Sequence, residues 1–111
     1  MTLWYLRDGT PLESTKDNLR WIAALFESEE YRVVAQTELF GGFVVSTIWI
    51  GIGYSPPLAH QGFEPPLIFE TMVFTPHWYG FDDLDQWRYA TEEGAWFGHA
   101  AAVKFWRRQT L

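Results

Sequence analysis

The sequence predicts an α+β fold: an antiparallel or mixed sheet of about five strands, with two helices packed on one face. Apolar residues recur at helical spacing near both ends of the chain, and they alternate with polar residues in between. Clusters of Gly and Pro separate these segments. The resulting element order is β-α-β-β-β-β-α. With 111 residues and 48% apolar content, the chain is expected to form a single globular domain over residues 1–111.

The first two elements are a short strand and an amphipathic helix. Residues 3–6 are apolar and lead into a turn at residues 7–11, which contains Asp-Gly and Pro. Ser14 or Thr15 then supplies a helix N-cap. The apolar face of this helix is formed by Leu19, Ile22, Ala23 and Phe26.

The middle of the chain predicts a β-hairpin. Residues 31–40 and 43–52 both alternate, and the Gly41-Gly42 pair between them suits a two-residue hairpin loop. In that register Val34 faces Trp49, and Gln36 faces Thr47. The core side is then expected to carry Val33, Ala35, Leu39, Val44, Ile48 and Ile50. The other face, either solvated or covering a partner, is expected to carry Arg32, Gln36, Glu38, Thr47 and Trp49.

Two loops, two strands and a final helix complete the prediction. A proline-rich loop at residues 53–66 precedes a strand at 67–74, and a loop at 75–85 precedes a short strand at 86–90. Thr91 caps a helix that runs to about Gln109, with acidic residues at its start and basic residues at its end. Its sheet-facing side is expected to comprise Ala95, His99, Ala102, Val103 and Trp106, extended by Trp96, Phe97 and Phe105.

Composition excludes several functional classes. The chain has no cysteine, so it forms no disulfide and no thiolate metal site, which fits a reducing cytoplasm. No apolar run is long enough to cross a bilayer. A net charge of -6 disfavours binding to a nucleic-acid backbone. We therefore expect an acidic cytoplasmic protein that binds neither membrane nor nucleic acid directly.

Several segments, in order, resemble a widespread group of small, uncharacterised bacteriophage and prophage proteins. They are residues 32–38 (RVVAQTE), 45–51 (VSTIWIG), 65–74 (PPLIFETMVF) and 88–91 (RYAT), followed by Gly98-His99. The resemblance covers about residues 31–99 and names no reaction or ligand. It implies an accessory protein in the cytoplasm of a bacterial host, one that inhibits a host defence factor or redirects a host enzyme.

Two titratable residues in apolar segments are candidates for chemistry. Glu70 is either a general acid or base, or a structural partner of Arg32 or Arg88. His99 is either a proton shuttle or a hydrogen-bonded imidazole in the core. The structural interpretation is preferred for both residues.

No metal or cofactor is expected. Asp82, Asp83 and Asp85 lack the further ligands that a calcium loop requires, so they are interpreted as a solvated acidic loop. His60 and His77 lie in separate loops without a zinc-binding pattern.

The most informative feature is the aromatic content of seven Trp, five Tyr and nine Phe. It forms either a dense aromatic core or, in part, a surface such as a protein-binding hot spot or a base-stacking platform. The preferred hypothesis is a non-enzymatic inhibitor or adaptor that binds a bacterial host protein. Its candidate binding residues are Arg32, Gln36, Thr47, Trp49, Glu70, Trp78, Tyr79, Trp87, Arg88 and His99.

Two alternatives and one accessory possibility stay open. The first alternative is a protein that sequesters a nucleotide signal, with Trp or Tyr stacked on the base and Arg32 or Arg88 on the phosphate. The second is a small enzyme that uses Glu70 and His99. A homodimer formed through exposed aromatic residues or a sheet edge is compatible with all three hypotheses.

Overall fold

A computed structural model describes residues 3–54, 65–76 and 83–110 of the chain. It confirms the α+β fold, with six antiparallel strands in one sheet and helices packed against it. The strands are β1 (Leu3–Tyr5), β2 (Pro11–Glu13), β3 (Val33–Glu38), β4 (Val44–Tyr54), β5 (Leu67–Phe74) and β6 (Asp83–Tyr89). The helices are α1 (Lys16–Glu27), α2 (Glu29–Arg32) and α3 (Glu92–Gln109). No described helix is both long and apolar enough to span a membrane.

Strand β4 organises the sheet. Along one edge it pairs with β5, which in turn pairs with β6. Along its other edge it pairs first with β3 and then, at Ile52, with β1, which carries β2. The longest strand therefore joins the N-terminal hairpin to the rest of the sheet.

The start of each described helix follows from local side-chain chemistry. Thr15 caps α1 by accepting a hydrogen bond from the backbone N–H of Asn18 (3.2 Å), and Thr91 caps α3 by accepting one from Gly94 (3.0 Å). Ser28 caps the short helix α2 in the same way, by accepting from Tyr31 (3.3 Å). This cap explains why β3 begins at Val33, two residues later than the alternating pattern predicts.

The N-terminal segment contains an additional strand. Residues 7–10 form the expected turn, closed by hydrogen bonds from Leu6 N to Thr10 O and from Gly9 N to Leu6 O, both 2.9 Å. The chain then pairs back on β1 as β2, with Pro11 opposite Tyr5. The sheet therefore has six strands where about five were expected.

The predicted hairpin register is wrong by one residue. Leu39 N donates to Phe43 O (2.7 Å), so the loop contains three residues, Phe40–Gly42, and not two. Both glycines of this loop have positive φ, 83° and 91°, which makes the longer turn accessible. Thr47 consequently faces Ala35, and Ser46 faces Gln36.

This shift turns over β4 relative to β3, because neighbouring side chains of a strand point in opposite directions. Strand β3 keeps its predicted orientation, and only the faces of β4 are exchanged. Val45, Thr47 and Trp49 are fully buried, whereas Ile48 is only half-buried. The face expected to be solvated or to cover a partner is thus the core face of β4. Thr47 and Trp49, which were expected on the solvated or partner-covering face, therefore belong to the core.

The helices pack on that one face. Trp49 stacks on Phe26 of α1 (ring centroids 4.7 Å apart) and meets the Tyr31 ring of α2 edge-on (5.0 Å). Its indole Nε1 donates to the backbone oxygen of Tyr5 (2.8 Å). Helix α3 contributes Ala95 to the same core. A second cluster beneath α3 is built from Leu39, Val45, Val73 and Ala102.

Candidate functional site

The opposite face of the sheet carries no described helix. We call it the open face and define it by three rows of side chains that pair across neighbouring strands. The first row is Ile48, Glu70 and Arg88; the second is Gln36, Ser46, Met72 and Gln86; the third is Glu38, Val44 and Phe74.

A polar cluster occupies part of the open face. One carboxylate oxygen of Glu70, Oε2, accepts hydrogen bonds from Arg88 Nε (2.9 Å) and from Gln86 Nε2 (2.7 Å). Glu70 is 8% exposed, so its negative charge needs these donors. Arg88 is therefore the partner in the predicted ion pair. The other candidate, Arg32, instead donates from Nη1 to the backbone oxygen of Phe26 (2.9 Å).

Apolar side chains border this cluster. Phe74 is 42% exposed, and Ile48, Met72 and Val44 are half-buried. Gln36 and Glu38, in the edge strand β3, are exposed. A fixed ion pair among partly exposed apolar side chains offers both directional hydrogen bonding and burial of apolar area to a partner surface.

His99 lies on the other side of the sheet, between α3 and the strands. Its Nδ1 contacts Thr47 Oγ1 (2.8 Å), and its Nε2 contacts Thr37 Oγ1 (2.9 Å). Thr47 also forms a hydrogen bond with Thr71 (2.5 Å). A neutral imidazole, which donates from one nitrogen and accepts at the other, satisfies this chain of hydroxyl groups. The contacts support the interpretation of His99 as a core residue; Thr37 was not identified from the sequence.

Acidification is expected to destabilise the fold through His99. Burial lowers the pKa of His99 below its ordinary value of 6.5, so the unfolded chain takes up this proton more readily than the folded chain. The contribution of His99 to the free energy of unfolding is fully present above its pKa in the unfolded chain. This contribution is lost as the pH falls towards its lower pKa in the folded chain. Denaturant titrations between about pH 7 and about pH 5.5 should therefore show a falling free energy of unfolding, with a smaller fall in His99→Gln. An equal fall in both proteins would contradict this role.

Glu70 and His99 do not share a site. Glu70 pairs with Arg88 on the open face, whereas His99 contacts Thr47 on the helix-covered face. The sheet separates the two side chains. The structure therefore does not bring together the two side chains that the enzyme hypothesis combines.

The remaining predicted binding residues have different outcomes. Thr47 and Trp49 are fully buried and are corrected to core residues. Gln36 is exposed on the open face. Trp87 is 38% exposed at β6, beside a groove that α3 lines with Phe105. Several residues lie outside the described part of the chain: Trp78, Tyr79, Phe81, Asp82, His60 and His77.

Helix α3 presents aromatic groups outward, contrary to prediction. Phe97 is 73% exposed, Phe105 is 53% exposed and Trp96 is 49% exposed, while Ala95 and Ala102 face the sheet. The small residues allow α3 to approach closely: a Cβ at Gly98 would overlap the ring of Tyr89. Gly98, a glycine inside the helix and away from its first turn, was the available signal for such a contact.

A cavity of about 500 Å³ lies beside His99. Three basic side chains of α3 contribute to its lining, together with Thr37, Ala100 and Val103. They are Lys104, Arg107 and Arg108. The chain as a whole has a net charge of -6, so these three basic side chains form a positive patch on an otherwise acidic protein.

Neither a metal cluster nor a known relative identifies the site. Within residues 3–54, 65–76 and 83–110, no group of three or more His, Asp or Glu side chains is placed to hold a metal ion. The sequence matches no protein-family model, and neither a curated protein nor a solved structure matches it. The geometry of the open face is therefore the observation that bears on function.

Proposed function

We propose that this protein is a non-enzymatic binding protein, and that its open face docks onto a bacterial host protein that it inhibits or redirects. The observation that carries the proposal is a sheet face without a described helix, on which partly exposed apolar side chains border the Glu70–Arg88 pair. Docking on this face would bury apolar side chains and exclude water from a preformed ion pair.

The polar side chains of the open face are already fixed before a partner binds, which favours recognition of a protein surface. Glu70 and Arg88 are held in place by their mutual hydrogen bond and by Gln86, so binding does not have to order these side chains. Phe74, Met72 and Ile48 supply the apolar contact. Because the chain carries a net charge of -6, its long-range field attracts basic partner surfaces.

The choice of a bacterial partner depends on the resemblance to small bacteriophage and prophage proteins. A protein of that type acts in the cytoplasm of its host, where a defence factor or an enzyme of the host is within reach. The resemblance supports this context and the geometry supports the binding surface, so the two parts of the proposal are separate.

Replacing Phe74 is the direct test of the surface. The tagged protein is used to recover a partner from bacterial lysate, and the purified partner is then titrated by calorimetry. Phe74→Glu places a charge in the expected interface and should weaken binding by at least about 30-fold, the loss typical of a hot-spot residue. Trp21→Glu changes a side chain of similar exposure, 48%, on the helix-covered side, and should leave the affinity unchanged.

Both variants must first show the same unfolding midpoint as the parent protein. Equal affinity of the Phe74→Glu and parent proteins would exclude the open face as the binding surface. Failure to recover a stoichiometric partner from any phage-susceptible bacterium would contradict the proposed function as a whole.

The cavity beside His99 favours a second candidate function, the binding of a small anion such as a nucleotide signal. Lys104, Arg107 and Arg108 provide the positive charge for a phosphate group. Calorimetry with a panel of nucleotides distinguishes this alternative, because a sequestering protein must bind its ligand stoichiometrically. Loss of that binding in Arg107→Ala, with binding to the host protein unchanged, would assign the ligand to this cavity.

A further inference from the structure

The outward face of α3 exposes three large aromatic side chains. Its most exposed aromatic side chain is Phe97, with Trp96 and Phe105 on the margins of the same face. The inward side of the helix is already occupied, because Ala95, Ala102 and His99 pack against the sheet. An exposed aromatic surface of this kind usually marks a contact with another molecule.

The order of residues along this face is complementary to itself. Consider two α3 helices packed antiparallel about a twofold axis that passes between Ala100 and Ala101. Ala100 of one copy then lies level with Ala101 of the other copy. Phe97 then lies level with Lys104, and Glu93 lies level with Arg108. All six positions are exposed. Opposite charges, a cation and an aromatic ring, and two small residues therefore meet at successive levels.

We propose that two copies of this chain form a homodimer through antiparallel packing of their α3 helices about this twofold axis. The alanines at the centre allow close approach of the two backbones, and the flanking aromatic side chains become buried. Such a twofold contact uses the same surface on both copies, which is the commonest arrangement in homo-oligomers.

The charged ends of the face are available for the second copy. The acidic residue before Glu93, Glu92, is already paired with Arg7 at 2.7 Å. Neither Glu93 nor Arg108 forms an ion pair with another described residue. In the dimer each copy contributes one Glu93 and one Arg108, so the contact contains two opposed charge pairs.

This inference goes beyond the proposed function, because α3 and the open face lie on opposite sides of the sheet. Dimerisation therefore leaves the open face of each chain accessible, and the dimer carries two copies of this face. Loss of the dimer does not remove the open face of a single chain. The two proposals consequently fail in different experiments.

Sedimentation equilibrium over a range of concentrations tests the dimer. The purified protein should approach twice the chain mass of 13.0 kDa. Phe97→Ser should weaken association by at least about 10-fold, because it removes an apolar contact near the centre of the interface. The matched control is Phe40→Ser: Phe40 is also 73% exposed but lies in the β3–β4 loop, and its replacement should leave the mass unchanged.

A charge exchange tests the antiparallel register. Glu93→Arg and Arg108→Glu, made singly, each place like charges opposite one another, and each should weaken association by about 10-fold. The two substitutions in one chain restore opposite charges and should return the affinity to within about threefold of the parent. A monomer at all concentrations, a dimer unaffected by Phe97→Ser, or a double variant weaker than either single variant would overturn the proposal.

Discussion

Replacing Trp49 with Ala is expected to remove about 3–5 kcal/mol from the free energy of unfolding. The indole is fully buried, stacks on Phe26 and donates a hydrogen bond to Tyr5 O. Its removal leaves a cavity between α1 and the sheet and deletes the hydrogen bond to Tyr5 O. Because domains of this size are stable by only about 5–15 kcal/mol, the variant should be near its unfolding transition at ambient temperature.

Chemical denaturation followed by circular dichroism measures this loss. Trp21→Ala is the matched control, since Trp21 is 48% exposed on α1, and its replacement should cost clearly less, about 1–2 kcal/mol. A well-folded Trp49→Ala protein that had lost only binding to a partner would contradict the placement of this residue in the core. The sequence hypothesis of a binding role for Trp49 predicts that second outcome.

Gly51→Ala is expected to cost about 2–5 kcal/mol, from backbone strain and steric overlap together. Gly51 has φ of +73°, in the left-handed region that side chains disfavour. A Cβ there would lie 2.9 Å from Cζ2 of Trp49 and 3.1 Å from Cζ of Phe26. Since the two rings are stacked on each other, neither can move without disturbing the core.

Gly9→Ala separates the two causes. Gly9 also has positive φ, +91°, but among the described residues no atom beyond its two chain neighbours would lie within 4 Å of an added Cβ. Its replacement should cost only the backbone strain, about 1–2 kcal/mol. Denaturant midpoints of the two variants measure the difference. Equal losses would show that the rings near Gly51 relax freely, contrary to the tight packing of Trp49.

The features that the sequence predicted well are governed by local chemistry. Thr91, and either Ser14 or Thr15, were predicted as helix caps because a hydroxyl group just before an amphipathic segment satisfies free N–H groups in any fold; Thr15 is the residue that caps α1. The turn at Asp8-Gly9 is local in the same sense. The Glu70–Arg88 pair was one of two options, and only the pairing of β5 with β6 selects it.

The features that it predicted wrongly depend on distant contacts. The Gly41-Gly42 pair is compatible with both a two-residue and a three-residue loop, and the choice between them exchanges the faces of Thr47 and Trp49. Local alternation is equally satisfied in either register. The buried side of β4 is decided by packing against α1 and α3, which the pattern of one hairpin does not contain.

Helix α3 illustrates the same limit. Hydrophobicity favours burial of Phe97 and Phe105, yet the sheet beneath the helix already supplies Trp49 and Phe69 to the core. Little space is left between α3 and the sheet, so small residues such as Ala95 occupy the inward side of the helix. The aromatic side chains are consequently displaced to the surface, where the proposed homodimer would bury them.

The proposed function requires that the helices cover one face of the sheet and leave the other accessible to a partner. Thiol labelling of two neighbouring positions in β5 tests it directly, because the chain has no cysteine of its own. Phe74 is 42% exposed on the open face, and Val73 is fully buried on the covered face. In the free protein, the thiol of Phe74→Cys should react rapidly, and that of Val73→Cys more than about 100-fold more slowly, since it needs local opening. Adding the recovered partner should slow only the reaction of Phe74→Cys. Slow labelling of that variant in the free protein, or a rate unchanged by the partner, would contradict the account.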